Sequence, residues 1–243
     1  MKALIFSKRT AKEISRDPLT LFFGIGFPVI VLILLSTIQA NIPVEMFEIR
    51  HLTPGITVFG LSFVSLFGAL LVAGDRSSAF ILRLYTTPMR AIDYIIGYTF
   101  PLLPFSLLQA AVCYLVAFCF GLTPTVGILW ALLFLLPVSL LFISIGLLCG
   151  SVLNAGQIGG ICGALLTNLS AWLSGVWFDI SMLGKGFETV ANILPFVHAV
   201  ELERAVLLSE FSGILPDLLI VLGWSILLFA AAVFFFLRQM KKR

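Results

Sequence analysis

The chain has 243 residues, of which 60% are hydrophobic and only 11% are charged. A soluble domain carries roughly 45–50% apolar and about 25% charged residues, so this chain lacks the polar side chains needed to cover a water-soluble globule. Its formal net charge of +3 is small. The basic residues cluster at the two chain ends, which indicates contact with an anionic membrane surface rather than with nucleic acid.

Residues 1–18 predict an amphipathic helix. The basic residues of this segment fall within a sector of roughly 120° on a helical wheel; they are Lys2, Lys8, Arg9, Lys12 and Arg16. Ala3, Ala11 and Ile14 fall on the opposite side, so we expect the helix to lie along the inner leaflet. Asp17 and Pro18 end it. The alternative is a solvated basic tail without fixed structure.

Long apolar stretches follow, and residues 94–178 contain no Lys, Arg, Asp, Glu or His. A membrane-spanning helix needs about 20 apolar residues. The sequence therefore predicts a helical membrane protein with six spans, at Leu19–Ile38, Pro54–Gly74, Tyr94–Phe120, Gly127–Cys149, Gly156–Val176 and Leu215–Leu237.

The loops between these spans predict the orientation. If the N-terminus is cytoplasmic, the inner segments carry twelve Lys and Arg residues and the outer segments carry three. This bias predicts that both termini lie in the cytoplasm. Residues 177–214 would then be outside. That segment is too polar to span and has apolar patches, so we expect two short helices that dip into the outer leaflet and are buried by protein.

Glycines spaced four residues apart predict close helix packing. The fifth predicted span carries two overlapping pairs, Gly156 with Gly160 and Gly159 with Gly163, and Gly146 with Gly150 makes a third pair on the fourth span. We therefore expect the fifth span to be tightly packed, against a neighbour that the sequence does not identify.

Several kinds of chemistry have no signature in the chain. It contains no phosphate-binding loop, no HExxH or GxSxG motif and no acidic cluster for a metal, so catalytic residues, metals and cofactors are expected to be absent. The four cysteines form no CxxC pair and are interpreted as small apolar residues. The helix interiors hold no ionisable group, which disfavours a proton- or sodium-coupled carrier.

The loop between the second and third spans is the most distinctive segment. After Asp75 and Arg76, a helix-compatible stretch carries Arg83 and ends at Thr87-Pro88. A short helix projecting from a bilayer would serve as a contact for a soluble partner. The alternative is a surface turn with ordinary positive-inside arginines.

This arrangement resembles the ABC-2 type permease, the membrane subunit of ATP-driven exporters. The coupling region of that family runs Glu-Arg-Glu-x-Gly-Thr-Leu-Glu-x-Leu, followed by a Thr-Pro turn and a Gly-Lys pair. Five elements match it, namely Asp75 and Arg76, Leu84, Thr87-Pro88 and Gly97. Ser77, Ala79, Phe80, Leu82 and Tyr98 depart from it. The stretch 194–204, LPFVHAVELER, is similar to the family's outer region before the last span.

The resemblance implies a single all-α domain over residues 1–243, with an interfacial helix (1–18), six spans, a coupling helix (75–94) and short outer helices (177–214). It implies half of an exporter in the cell membrane of a bacterium or archaeon, with a second permease chain, identical or not, and membrane lipid as partners. Two separate ATP-binding subunits would supply the ATPase activity and bind ATP and magnesium, and this chain would not be an enzyme. The ATPase-coupling residues would be Asp75, Arg76, Arg83, Leu84, Thr87, Pro88 and Arg90.

By the same resemblance, the substrate path lies between the two permease halves and is lined partly by the second and fifth spans. On these spans we predict five lining residues, namely Phe59, Phe63, Phe67, Asn168 and Trp172. The alternative is that these residues pack in the core or face lipid. An uncharged, Phe-rich path suits a hydrophobic or amphipathic substrate, such as a drug in multidrug efflux, an antibiotic-like molecule or a lipid-linked one; polysaccharide–lipid, haem and peptide cargo are rivals. Other hypotheses for the chain are a stand-alone channel or secondary carrier, and a membrane scaffold or enzyme.

Overall fold

A computed structural model describes residues 2–42, 44–78 and 91–241. Helix accounts for 87% of the structure, and the described residues contain no strand, so the predicted all-α class is confirmed. The helices are α1 (Lys2–Arg16), α2 (Pro18–Asn41), α3 (Ile49–Ser77), α4 (Ala91–Cys119), α5 (Val126–Val152), α6 (155–172), α7 (Lys185–Ile193), α8 (Pro195–Leu207) and α9 (Ile214–Lys241).

Within the described residues, five helices are long and apolar enough to cross a membrane: α2, α3, α4, α5 and α9. They correspond to the first four predicted spans and the sixth. The fifth predicted span is helical as α6 but is not among these five, because four glycines together with Gln157 and Asn168 lower its hydropathy. It also ends at Trp172, shortly before Gly175 adopts a left-handed φ of 70°. The complete six-span arrangement therefore stays a prediction.

Helix α3 occupies the centre of the bundle. In its most apolar window 83% of the residues are buried, compared with 28% for α2 and 17% for α9. Helix α5 packs closely along it, since Gly146 lies against the backbone of Ser65 and Gly150 against that of Ala69. A side chain at either glycine would separate the two helices, so these two positions set the distance between α3 and α5.

The start of α3 differs from the prediction. The sequence places the boundary at Pro54, whereas the helix begins at Ile49 and continues through this proline. Proline removes one backbone donor and leaves a carbonyl without its helical partner. Neighbouring hydroxyls bind backbone carbonyls here, because Thr53 donates to the carbonyl of Ile49 and Thr57 to that of Pro54, both at 2.7 Å. Pro54 lies in the second turn of α3, where only the carbonyl of Arg50 loses its helical donor, so the proline interrupts the helix little.

Helix α1 lies against the first turns of α4. The ring of Phe6 is buried and contacts Tyr94 and Tyr98 edge-on, with centroids 5.8 and 4.9 Å apart. Ile14 is buried as well, whereas Ala11 is exposed, contrary to its predicted place on the apolar side. The apolar face of α1 therefore packs on protein, because the aromatic start of α4 covers it.

Helix α8 is inserted at the opposite end of the bundle, between α5, α9 and the start of α3. The rings of Phe142 and Phe196 lie 5.9 Å apart, and Gly127 lies against the backbone of Leu207. Helix α3 thus runs from the α8 end of the molecule, at Ile49, to the α1 end, at Ser77. Both short helices, α7 and α8, fall within the predicted segment 177–214.

Candidate coupling site and substrate path

Asp75 joins three helices at the α1 end. Its carboxylate, near the end of α3, accepts two hydrogen bonds from the Arg9 guanidinium of α1, at 2.7 and 2.8 Å. The hydroxyl of Tyr98 on α4 donates a third bond to Asp75, at 2.8 Å. The side chain of Asp75 is 8% exposed, so a paired arginine is what makes its charge tolerable there.

Arg76, the next residue, binds the end of α5. Its Nη1 donates to the carbonyl oxygens of Gly150 and Leu153, at 2.5 and 3.2 Å. A cation satisfies the last carbonyls of a helix and is favoured by the negative end of the helix dipole. Consecutive residues therefore fix the end of α3 to α1, α4 and α5. The chain leaves α3 from this fixed point.

The charges of α1 beside this point are partly dehydrated. The hydrogen bonds to Asp75 raise the pKa of Arg9, so it remains a cation. Arg9 also contacts the carboxylate of Glu13 at 3.1 Å. Partial burial raises the pKa of Glu13, and the charge of Arg9 opposes that rise. The guanidinium of Arg9 therefore forms ion pairs with the carboxylates of both Asp75 and Glu13.

The other predicted coupling residues fall outside the described part of the chain. They are Arg83, Leu84, Thr87, Pro88 and Arg90. Their assignment to ATPase coupling stays a prediction, whereas Asp75 and Arg76 have defined contacts at the base of that segment.

Aromatic rings form a row along α2 and α3, which we call the aromatic row: Phe23, Phe63, Phe59 and Trp177. Ring centroids lie 6.2 Å apart for Phe23 and Phe63, 5.8 Å for Phe63 and Phe59, and 5.6 Å for Phe59 and Trp177. Phe27 lies beside the row, 5.3 Å from Phe63, and Phe67 belongs to the same cluster. Three predicted path residues, at 59, 63 and 67, are thus brought together.

The two remaining path residues lie apart from this cluster. Asn168 is exposed on α6 and donates to the carbonyl of Ala164 at 2.8 Å. Trp172 is 53% exposed, and helix α6 reaches the phenylalanine cluster through Ala171 instead. The five residues therefore do not form one wall within this chain, because three are buried between α2 and α3 and two are on the open side of α6.

Most glycines of α6 make no close helix contact with the other described residues, and the partner that their spacing predicts stays unidentified. Among the described residues, a Cβ atom at Gly159 or Gly160 would meet nothing within 4 Å, and one at Gly156 would meet only Asn154. Gly163 is the exception, at ordinary contact distance from Leu66 of α3. The glycine face of α6 is thus largely uncovered by the part of the chain that the structure describes.

Cavities lie at both ends of the aromatic row. At the α1 end, a cavity of about 450 Å³ is lined by Glu13, Asp17, Phe23, Phe67 and neighbouring apolar residues. At the α8 end, a cavity of about 600 Å³ is lined by His51, Trp177, Phe178, Asp179 and Arg204 together with three apolar residues. The row therefore lies between two cavities at opposite ends of α3.

Polar groups of α8 hold the α8 end together. Arg204 donates to the carbonyls of His51 and Gly175, at 3.3 and 3.0 Å. The ring of His198 joins α8 to α9, because its Nδ1 lies 2.7 Å from the carboxylate of Asp217. These contacts fix α8 to the start of α3, to the residues after α6 and to the start of α9.

The sequence analysis did not predict Glu203 as a site residue. It is fully buried on α8, and neither carboxylate oxygen has a hydrogen-bond partner among the described residues. Burial raises the pKa of Glu203 well above its ordinary value. The buried hydroxyl of Tyr114 on α4, also unpartnered there, lies within electrostatic reach. Its neighbours Glu201 and Arg204 form an ion pair, so the local sequence reads as an exposed charged helix and gives no sign of this burial.

Comparison with known proteins identifies the family of this bundle. No curated protein matches the chain significantly. The family described as ABC-2 type transporter matches residues 2–208, a range that includes α1, the Asp75–Arg76 pair and α8. Members of this family generally pair with ATP-binding subunits. The chain therefore belongs to the ABC-2 type transporter family and is a membrane permease component.

Proposed function

We propose that the chain is one half of the membrane part of an ATP-driven exporter, with ATP and magnesium bound by separate ATPase subunits. Both termini and the α1 end face the cytoplasm, in keeping with the basic residues of that end. The cargo is a hydrophobic or amphipathic molecule.

The observation that carries this proposal is the anchoring of Asp75 and Arg76. Segment 79–90 follows directly after a point bonded to α1, α4 and α5. A displacement of the segment by an ATPase would be passed to four helices at once, because Asp75 and Arg76 leave α3 little freedom to move alone. We therefore expect coupling to depend on the contacts of Asp75 and Arg76 with α1, α4 and α5.

A second permease chain completes the path. The open face of α6 carries Gly159 and Gly160 beside exposed Ile161, Leu165 and Trp172. A glycine-lined face lets another helix backbone approach closely in a membrane. The second chain, identical or homologous, packs on this face.

The test uses variants of the coupling segment. Arg83→Glu reverses a contact charge, and an interfacial charge affects docking more than folding; we expect weaker binding of the ATPase subunit. Pro88→Gly loosens the turn without changing charge, so we expect binding with poor transport. Arg50→Glu, on exposed Arg50 at the α8 end, is the matched control.

Pull-down of the ATPase, ATP hydrolysis and transport in vesicles are measured side by side for the three variants. Unchanged binding and transport in Arg83→Glu and Pro88→Gly would remove the segment from the mechanism. Transport without any ATPase subunit would instead favour a stand-alone channel or carrier.

A further inference from the structure

Helix α8 carries one acid within its buried face. Buried side chains recur three or four residues apart along this helix, at Phe196, Ala199, Val200, Glu203, Val206 and Leu207. Such spacing is typical of a helix that packs an apolar face into a core, and every member of the set except Glu203 is apolar. A carboxyl group therefore lies in the face by which α8 is inserted among α3, α5 and α9.

No charged group neutralises Glu203 in the described part of the chain. On α8 itself, the guanidinium of Arg204 is bonded to Glu201 and to two backbone carbonyls, and His198 pairs with Asp217 of α9. Helix α5 carries no Lys, Arg, Asp, Glu or His. The charged or titratable side chains that begin α3 and α7 are exposed, namely Arg50, His51, Lys185 and Glu188.

Tyr114 of α4 brings a second unpartnered polar group toward Glu203. Both carboxyl oxygens of Glu203 and the hydroxyl of Tyr114 are buried without a hydrogen-bond partner among the described residues, and the two side chains lie within electrostatic reach. Cys113, the other titratable group of α4 at this level, contacts Gln109 instead. A neutral hydroxyl does not balance a buried negative charge, whereas it can share a hydrogen bond with a protonated carboxyl group. The pair therefore fits a neutral acid better than an anion.

The proton affinity of Glu203 depends on whether α8 is inserted. Burying an ionised group without a partner costs so much free energy that the group takes up a proton instead. Burial accordingly raises the pKa of Glu203 well above its ordinary value, and no opposite charge of a described residue offsets the rise. If α8 left the bundle, the same carboxyl group would meet water and would ionise with an ordinary pKa of about 4.3.

We propose that Glu203 is a proton-binding site that holds α8 in the bundle. With the proton bound, the neutral carboxyl group is compatible with the apolar face and α8 stays inserted. When α8 separates and Glu203 meets water, the proton leaves for the solvent, and the resulting carboxylate disfavours reinsertion. Arg204, the next residue, bonds the carbonyls of His51 and Gly175, so release of α8 also breaks contacts beside the cavity at the α8 end. The site requires neither the ATPase subunit nor an identified cargo.

Infrared spectroscopy tests whether the proton is bound. The purified full chain is measured in nanodiscs at neutral pH and compared with Glu203→Gln. We expect the wild type to show a carbonyl band of a protonated carboxylic acid that Glu203→Gln lacks. Glu201→Gln removes an exposed acid of the same helix; it is the matched control and should keep the band. A carboxylate band in place of the acid band, in the difference between wild type and Glu203→Gln, would overturn the proposal.

Hydrogen exchange tests whether the proton holds α8. Since Glu203 ionises at its ordinary pKa only in the released state, the equilibrium for release should rise about tenfold per pH unit between that pKa and the raised one. Amide exchange of residues 195–207 is compared between chains at each pH, so the intrinsic pH dependence of exchange cancels. We expect exchange in the wild type and in Glu201→Gln to accelerate with pH relative to Glu203→Gln.

A second variant keeps the test decisive if a buried amide loosens α8. Glu203→Leu completes the apolar face and should leave α8 protected at every pH. The same pH dependence of α8 exchange in the wild type and in Glu203→Leu would overturn the proposal. Exchange that follows the sodium concentration rather than the pH would identify a sodium site and would contradict a proton site.

Discussion

Helices α5 and α6 carry the same glycine spacing and use it differently. In α5, a Cβ atom at Gly150 would lie 2.6 Å from the carbonyl oxygen of Ala69, so the glycine is required for contact with α3. In α6, a side chain at Gly159 or Gly160 would meet none of the other described residues within 4 Å. Glycine costs a helix about 1 kcal/mol relative to alanine. The spacing therefore identifies a helix face made of small residues. The structure is needed to tell whether the helix that packs on that face belongs to the same chain.

The largest effect is expected from Gly150→Leu. The new side chain has no room between α5 and the backbone of α3, and overpacking against backbone that cannot yield costs about 3 kcal/mol or more. We expect most of the chain to misfold, measured as the monodisperse fraction after extraction in detergent. Normal yield and thermal stability would show that α3 and α5 can move apart. Folding would then require glycine no more in α5 than in α6.

Asp75→Asn is expected to have the next largest effect. It deprives Arg9 of its buried partner and weakens the bond from Tyr98, and loss of one partner of such a pair costs about 2 kcal/mol. We expect a lower midpoint of thermal unfolding and poor stimulation of the ATPase. Arg9→Lys keeps the charge but not the two-pronged bond and should lie between the variant and the wild type. An unchanged, wild-type midpoint of thermal unfolding for Asp75→Asn would mean that the contacts of Asp75 do not hold α1, α3 and α4 together.

Asp75 and Glu203 are both buried acids, but the carboxylate of Asp75 accepts three hydrogen bonds and that of Glu203 has no partner among the described residues. The variant Glu203→Gln tests the consequence of this difference. Burial raises the pKa of Glu203 in the folded chain above its value in the unfolded chain. Stability is therefore lost as the pH rises from the unfolded pKa toward the folded one. We expect the wild type to lose more stability than Glu203→Gln between pH 5 and pH 8, measured by thermal unfolding in detergent. Parallel pH profiles would mean that Glu203 has a partner that holds its charge.

Gly160→Leu is expected to have the smallest effect on folding. No other described residue lies within 4 Å of a Cβ atom added at this glycine, and leucine is the better helix former by about 0.8 kcal/mol, so thermal stability should stay or rise slightly. Assembly of the two-chain permease should be lost, because the new side chain blocks close approach of a second helix. Size-exclusion chromatography with light scattering measures both species. Normal assembly and transport would place this face toward lipid.

Hydropathy located the long apolar helices to within a few residues, because each of α2, α3, α4, α5 and α9 must supply enough apolar length to cross a membrane. It was less informative for α6, whose glycines and amides leave its hydropathy lower. The apolar stretch placed the start of the second span at Pro54, whereas the helix begins at Ile49, because the more polar residues before the proline are helical as well.

The site was predicted only in part, since its contacts join residues far apart in sequence. Arg9 and Asp75 are 66 positions apart, and each looks like an ordinary charge near a membrane surface until the fold brings them together. The burial of Glu203 likewise depends on where α8 inserts between other helices. The phenylalanines of α3 were predictable as a group because they recur every four residues on one helix face.

The contact of α6 with a second chain is the claim most directly open to measurement. A photoreactive benzoylphenylalanine replaces Leu165 on the open face of α6 or, as control, Leu219 on α9; these side chains are 54% and 59% exposed. After irradiation of membranes that contain the ATPase subunit, we expect position 165 to cross-link to a second permease chain, identified by mass spectrometry, and position 219 to cross-link to lipid. A permease cross-link at position 219 together with lipid at position 165 would contradict the account.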